Sequence, residues 1–127
     1  MKKLLFFLLS IFMLANLTGF AQTLNEGFEG TQFPPEDWTN INVSGSENWR
    51  TSSLYKHSGT ASLYVHYASA GHENYFITPK LTPAVGESLS FYVSSQQYSY
   101  TTLTVEVSTG SPIADDFSTV LATYSTG

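Results

Sequence analysis

Three histidines, ten carboxylates and a large set of hydroxyls are the side chains of this sequence that could do chemistry. His72-Glu73 starts as the zinc-protease pattern H-E-x-x-H does, but Phe76 stands where the second histidine belongs, so the motif fails. G-x-S-x-G, the P-loop and G-x-G-x-x-G are also missing. Serine, histidine and acid all occur, but with hydroxyls this abundant their presence does not mark a triad. The lack of cysteine excludes a thiol nucleophile, a cysteine-ligated zinc or iron–sulfur centre and a disulfide scaffold. His57 and His72 lie in turn-like stretches and His66 on the outward phase of a strand, which reads as three separate solvent-facing imidazoles. A non-enzymatic role follows.

The carboxylates suggest more. Glu26, Glu29, Glu36 and Asp37 cluster early, and Glu73-Asn74 and Asp115-Asp116 fall at strand ends. Calcium takes roughly six to eight oxygens, commonly gathered from several loops. EF-hand spacing is absent, so a calcium site here would be discontinuous, and a solvated acidic surface is the competing reading. Trp38 and Trp49 read as packing residues, since large aromatics in a small domain serve the core and its rim. Tyr98 and Tyr100 sit in the stretch Gln96 to Tyr100 between two strands, where exposed tyrosines favour ligand recognition.

The elements that must position these residues begin after residue 21. Lys2-Lys3, the apolar run Leu4 to Leu17 and Gly19-Phe20-Ala21 form a secretory signal peptide with cleavage expected before Gln22. The run is shorter than the ~20 residues of a membrane span, and no second one follows. The domain is then 22–127. Arg50, Lys56 and Lys80 are its only basic residues against ten acids, a net charge of −7. Nucleic acid and anionic membrane surfaces are poor partners for that charge, and divalent cations are natural ones.

Period-two alternation dominates and helical spacing is scarce. Thr102 to Ser108, Ser88 to Ser94 and Ala61 to Tyr67 are the clearest strands, with Leu103, Val105 and Val107, Leu89, Phe91 and Val93, and Leu63, Val65 and Tyr67 facing inward. Asn74 to Thr78, Val120 to Tyr124 and Leu24 to Glu29 are shorter candidates. Phe33-Pro34-Pro35 forbids a ladder, and Ser44-Gly45-Ser46, Ser58-Gly59, Ala70-Gly71 and Val85-Gly86 signal turns. Asp115-Asp116-Phe117 could open one helical turn. The expectation is an all-β sandwich of about seven strands. A jelly roll often has eight, so the domain is expected to lack terminal strands beyond Gly127.

Several segments in order resemble the cleaved adhesin domains, also called choice-of-anchor J domains. Leu24-Asn25-Glu26-Gly27-Phe28-Glu29-Gly30 resembles their E-x-F-E opening, and Phe33-Pro34-Pro35-Glu36-Asp37-Trp38 their P-P-x-W element. Trp49 matches the next tryptophan, and His57-Ser58-Gly59-Thr60-Ala61-Ser62 the S-G-x-x-S segment. Asn74-Tyr75-Phe76-Ile77-Thr78-Pro79-Lys80-Leu81 is similar to N-x-(L/F)-I-T-P-x-L. Leu89-Ser90-Phe91, Val105-Glu106-Val107-Ser108 and Asp116-Phe117 resemble the L-S-F, V-x-V-S and D-F elements.

This resemblance implies a jelly-roll β-sandwich like galactose-binding domains, found in secreted and surface proteins of Bacteroidetes-type bacteria, the adhesin regions of gingipains among them. It implies a non-catalytic adhesion module with a protein or glycan ligand and structural calcium. Glu29 and then Asn74 are the matching metal-ligand positions, and Tyr98 and Tyr100 remain the ligand-contact candidates. The family pattern continues past Gly127 with a late aspartate-bearing strand, so part of a calcium site is expected to be missing. The alternative is an accessory, substrate-targeting module of a secreted peptidase or glycoside hydrolase whose catalytic domain lies outside this chain.

Overall fold

The computed structural model describes residues 24–66, 71–95 and 101–126. The described chain is all-β with antiparallel pairing throughout, as the alternation requires. Its six strands are β1 (Thr39–Ser44), β2 (Arg50–Ser52), β3 (Ser62–Tyr64), β4 (Glu73–Ile77), β5 (Thr101–Val107) and β6 (Thr119–Thr126). They form three two-stranded sheets, β1–β4, β2–β3 and β5–β6, an arrangement consistent with a β-sandwich. The expected turn near Asp115 is a single 3₁₀ turn over Ala114–Asp116. Among the described residues no helix is long and apolar enough to cross a membrane.

β1 and β4 run antiparallel, with Thr39 opposite Ile77, Asn40 opposite Phe76, Ile41 opposite Tyr75 and Asn42 opposite Asn74. Side chains of directly opposed residues share a face. Asn40, Asn42, Asn74 and Phe76 therefore lie on one side, and Thr39, Ile41, Tyr75 and Ile77 on the other. Ile77 is the most enclosed apolar residue described, at 8% exposure. The Tyr75 ring meets Phe117, 6.1 Å away between centroids, which brings the segment before β6 to that second face.

β5 and β6 form a hairpin that places Leu103 opposite Tyr124 and Val105 opposite Ala122, until a bulge shifts the register between Val105 and Glu106. The opposite face is polar, with the hydroxyls of Thr102 and Ser125 in contact at 3.5 Å. The connection is tied by Asp116, whose Oδ2 accepts from the Ser111 amide at 2.6 Å.

Sequence and structure part at five segments. Ser88 to Ser94, expected as a strand, belongs to none, and Leu89, Phe91 and Val93 are exposed. Phe91 nonetheless meets the Tyr124 ring edge-on at 6.0 Å. Leu24 to Glu29 is likewise no strand: the Phe28 amide donates to Glu26 Oε1 within the segment, and the Glu29 carboxylate accepts from the Thr60 amide. β1 and β2 were not expected. Alternation shows which side chains share a face, but a strand also needs a neighbouring backbone in register, and that is set by distant segments. Ala61 to Tyr67 shortens to β3, with Tyr67 outside the described residues.

Residues 81–88 group apart from 25–80 and 89–127. They contain a tight turn in which the Glu87 amide donates to the Ala84 carbonyl at 3.2 Å, and the Ala84 amide to Glu87 Oε2 at 2.7 Å.

Candidate functional site

Phe76 on β4 is the centre on which the aromatic motif residues converge. Phe33 stacks on it at 5.5 Å with planes 6° apart, and Trp38 lies at 5.0 Å. Phe28 meets it at 5.9 Å and Trp49 at 6.2 Å. Phe28 also meets Trp38 edge-on at 5.7 Å, the geometry that ring quadrupoles favour.

Local chemistry aims each ring. The Trp38 amide donates to the Pro35 carbonyl at 3.1 Å, closing a turn directly before β1, and the Phe33–Pro34 bond is cis. Phe28 and Asp37 hold left-handed backbone at φ 60° and 64°, a conformation that costs a non-glycine residue about 1 kcal/mol. Trp49 is pinned from both strands: its Nε1 donates to the Asn74 carbonyl at 3.3 Å, and its own carbonyl accepts from Asn40 Nδ2 at 2.9 Å. Both tryptophans thus pack against β4, as expected of structural aromatics.

Glu29 bonds the S-G-x-x-S segment. Its Oε2 accepts from the Thr60 amide at 2.8 Å and from the Thr60 hydroxyl, and its Oε1 from the Ala61 amide at 3.5 Å. Gly59 allows this approach. Its φ is +67°, and a Cβ there would stand 2.0 Å from Glu29 Oε1. The Thr60 hydroxyl and then its amide hold the Glu29 carboxyl below its ordinary pKa of 4.5.

A carboxylate whose pKa is lower in the folded than in the unfolded state stabilises the fold above the unfolded value, and that stabilisation is lost as pH falls through the folded one. Thermal midpoints should therefore fall on acidification below 4.5, and Glu29→Gln should flatten that part of the profile. An unchanged acid limb in Glu29→Gln would exclude this bond from the stability of the fold.

Asn74, the second metal position expected, faces the aromatic cluster. Its Oδ1 and that of Asn40 are buried without a hydrogen-bond partner. Neither atom is brought into the Glu29 network, and Asp116 is engaged with Ser111. Among the described residues no three histidine, aspartate or glutamate side chains gather as they would around a metal ion. Glu29 and Asn74 alone supply fewer oxygens than calcium's roughly six to eight, the remainder of which backbone and amide carbonyls or water can provide.

The histidines occupy three different places. His57 stacks on Tyr92 at 3.6 Å, His66 Nδ1 lies 4.0 Å from Glu47 Oε1, and the His72 ring lies over Gly45, where a Cβ would be 2.2 Å from Nδ1. Tyr98 and Tyr100 lie outside the described residues.

One cluster escaped sequence reading. Arg50 and Tyr64 are directly opposed across β2–β3, and the Arg50 guanidinium lies 5.4 Å from the Tyr64 ring centre. Tyr55 stacks on Tyr64 at 5.2 Å. Glu47 Oε2 reaches Arg50 at 3.8 Å. β2 has only three residues, too short for alternation to register, and alternation along β3 does not reveal that Arg50 is its partner.

The segments that converge on Phe76 and on Gly59 are those whose residues carry the family resemblance. A family model described as Cleaved Adhesin Domain matches residues 21–127. Comparison with curated proteins and with solved structures gave no match. With the match spanning most of the chain, the chain belongs to the cleaved adhesin domain family.

Proposed function

We propose that this adhesin-type module is exported through residues 1–21, has the jelly-roll sandwich architecture and binds an extracellular protein or glycan at the cell surface without catalysis. The observation that supports this reading is the use to which the motif residues are put. Glu29 bonds Thr60, Trp49 bonds β1 and β4, and Asp116 bonds Ser111. These groups hold loops together, which leaves recognition to other side chains. Protein secreted by the native cell should have its N-terminus at Gln22 and should be retained on immobilised extracellular glycans or proteins. A secreted form that keeps Met1 to Ala21, or one retained on none of them, would contradict the proposal.

Structural calcium belongs to the same proposal, with Glu29 and Asn74 as the positions carried by the family resemblance. Melts in calcium and in chelator, on the wild type and on Glu29→Ala, separate two roles. If Glu29 holds calcium, chelator lowers the wild-type midpoint and leaves Glu29→Ala unmoved. If Glu29 serves only as an acceptor for Thr60 and Ala61, Glu29→Ala is lower by the same interval in both conditions.

A further inference from the structure

We infer that the strip formed by Tyr55, Tyr64, Arg50, Glu47 and His66 is a binding surface for a neutral glycan. This deepens the adhesion reading above and rests on it. The strip is built by the β2–β3 hairpin. Arg50, Ser52, Ser62 and Tyr64 occupy opposed positions and share one face. The Ser62 hydroxyl donates to the Tyr55 carbonyl, and the Leu54 amide donates to Ser52 Oγ at 3.2 Å. These bonds fix the turn that lays the Tyr55 ring on Tyr64, with planes 29° apart.

Beyond Tyr64, His66 follows at 6.3 Å between ring centres, and Glu47 lies beside both Arg50 and His66. The surface is open. Tyr55 is 40% exposed, and the Arg50 and His66 side chains are 55% exposed.

Three properties select the ligand class. Stacked tyrosines offer a flat face with a negative quadrupole, suited to the polarised C–H face of a pyranose, and their hydroxyls add polar handles. Arg50 presents a planar fork of donors and Glu47 a pair of acceptors, a set that matches adjacent sugar hydroxyls. Arg50 and Glu47 also cancel in charge, and the domain around them carries −7, so anionic ligands gain no attraction and meet long-range repulsion. A protein partner is less well served, because side chains as exposed as Tyr55, Arg50 and His66 offer little of the fully desolvated centre in which protein hot spots sit.

The test uses the secreted protein in ligand-observed NMR with lactose, cellobiose and mannobiose, and with sialyllactose as the anionic probe. At least one neutral disaccharide should receive saturation at its ring C–H protons. Tyr55→Ala and Tyr64→Ala should each weaken its binding about tenfold or more. Tyr64→Phe, which keeps the stack, should stay within a few-fold of wild type and keeps the test decisive if Tyr64→Ala fails to fold. Arg50→Lys should weaken binding severalfold by removing the fork while keeping the charge.

Preferred binding of sialyllactose, or sugar binding indifferent to Tyr55 and Tyr64, would overturn the inference. So would capture of an extracellular protein with no sugar bound, although the adhesion reading would then stand. Failure of the protein to bind either sugars or extracellular proteins would overturn both.

Discussion

Phe76→Ala should be among the most damaging single substitutions in this domain, lowering stability by about 3 kcal/mol. That is the low end for truncating a packed phenylalanine, chosen because Phe76 is half-buried. Four rings rest on it, those of Phe28, Phe33, Trp38 and Trp49, so its loss removes the common partner of the segment before β1 and of the β1–β2 loop. Domains are stable by only about 5–15 kcal/mol in all, and the urea midpoint should fall by roughly 1–2 M. Trp38 and Trp49 are the protein's two tryptophans, so their emission reports on this cluster directly. Phe76→Leu should cost clearly less. A Phe76→Ala protein with an unchanged midpoint and unchanged emission would show that the cluster does not hold the loops.

Gly59→Ala should act through Glu29. The substituted residue must hold φ +67°, which costs about 1–2 kcal/mol. Its Cβ would also occupy the place of the Glu29 carboxylate, which must swing away from Thr60 and Ala61. The flexible glutamate can move, so the expected result is a folded but weakened protein that has lost the acid dependence assigned to Glu29. In a double-mutant cycle, Gly59→Ala and Glu29→Ala should be less than additive, because the second change removes nothing that the first has not already displaced. Strict additivity would mean that the two residues act independently.

The sequence announces some of this architecture plainly and conceals the rest. The β5–β6 hairpin is legible because seven consecutive residues alternate from Thr102 to Ser108 and the partner strand follows closely. β4 is legible for the same reason. β1 is not: Thr39 to Ser44 reads as polar, because the face it shares with Phe76 carries asparagines that bond Trp49 and the Gly45 and Glu47 carbonyls. Ser88 to Ser94 misleads in the opposite way, with alternation that no ladder accompanies.

The site residues divide similarly. Glu29 could be singled out through its family match, but its partners at Thr60 and Ala61 lie about thirty positions away, and only the fold brings them together. The packing role of both tryptophans was readable from size and domain length alone. The Tyr55–Tyr64–Arg50 strip was not, since the partner strand β2 has only three residues and the pairing of Arg50 with Tyr64 is set by the fold.

The central claim is a module that binds without transforming, and it is tested most directly by following the ligand itself. The secreted protein is incubated for a day with a panel of extracellular glycans and proteins, and both the bound fraction and the mass of every ligand are measured. The account predicts saturable retention of at least one ligand, recovered with its mass unchanged. A ligand that is cleaved or altered, with turnover lost on replacing Glu29, His57 or His66, would contradict it.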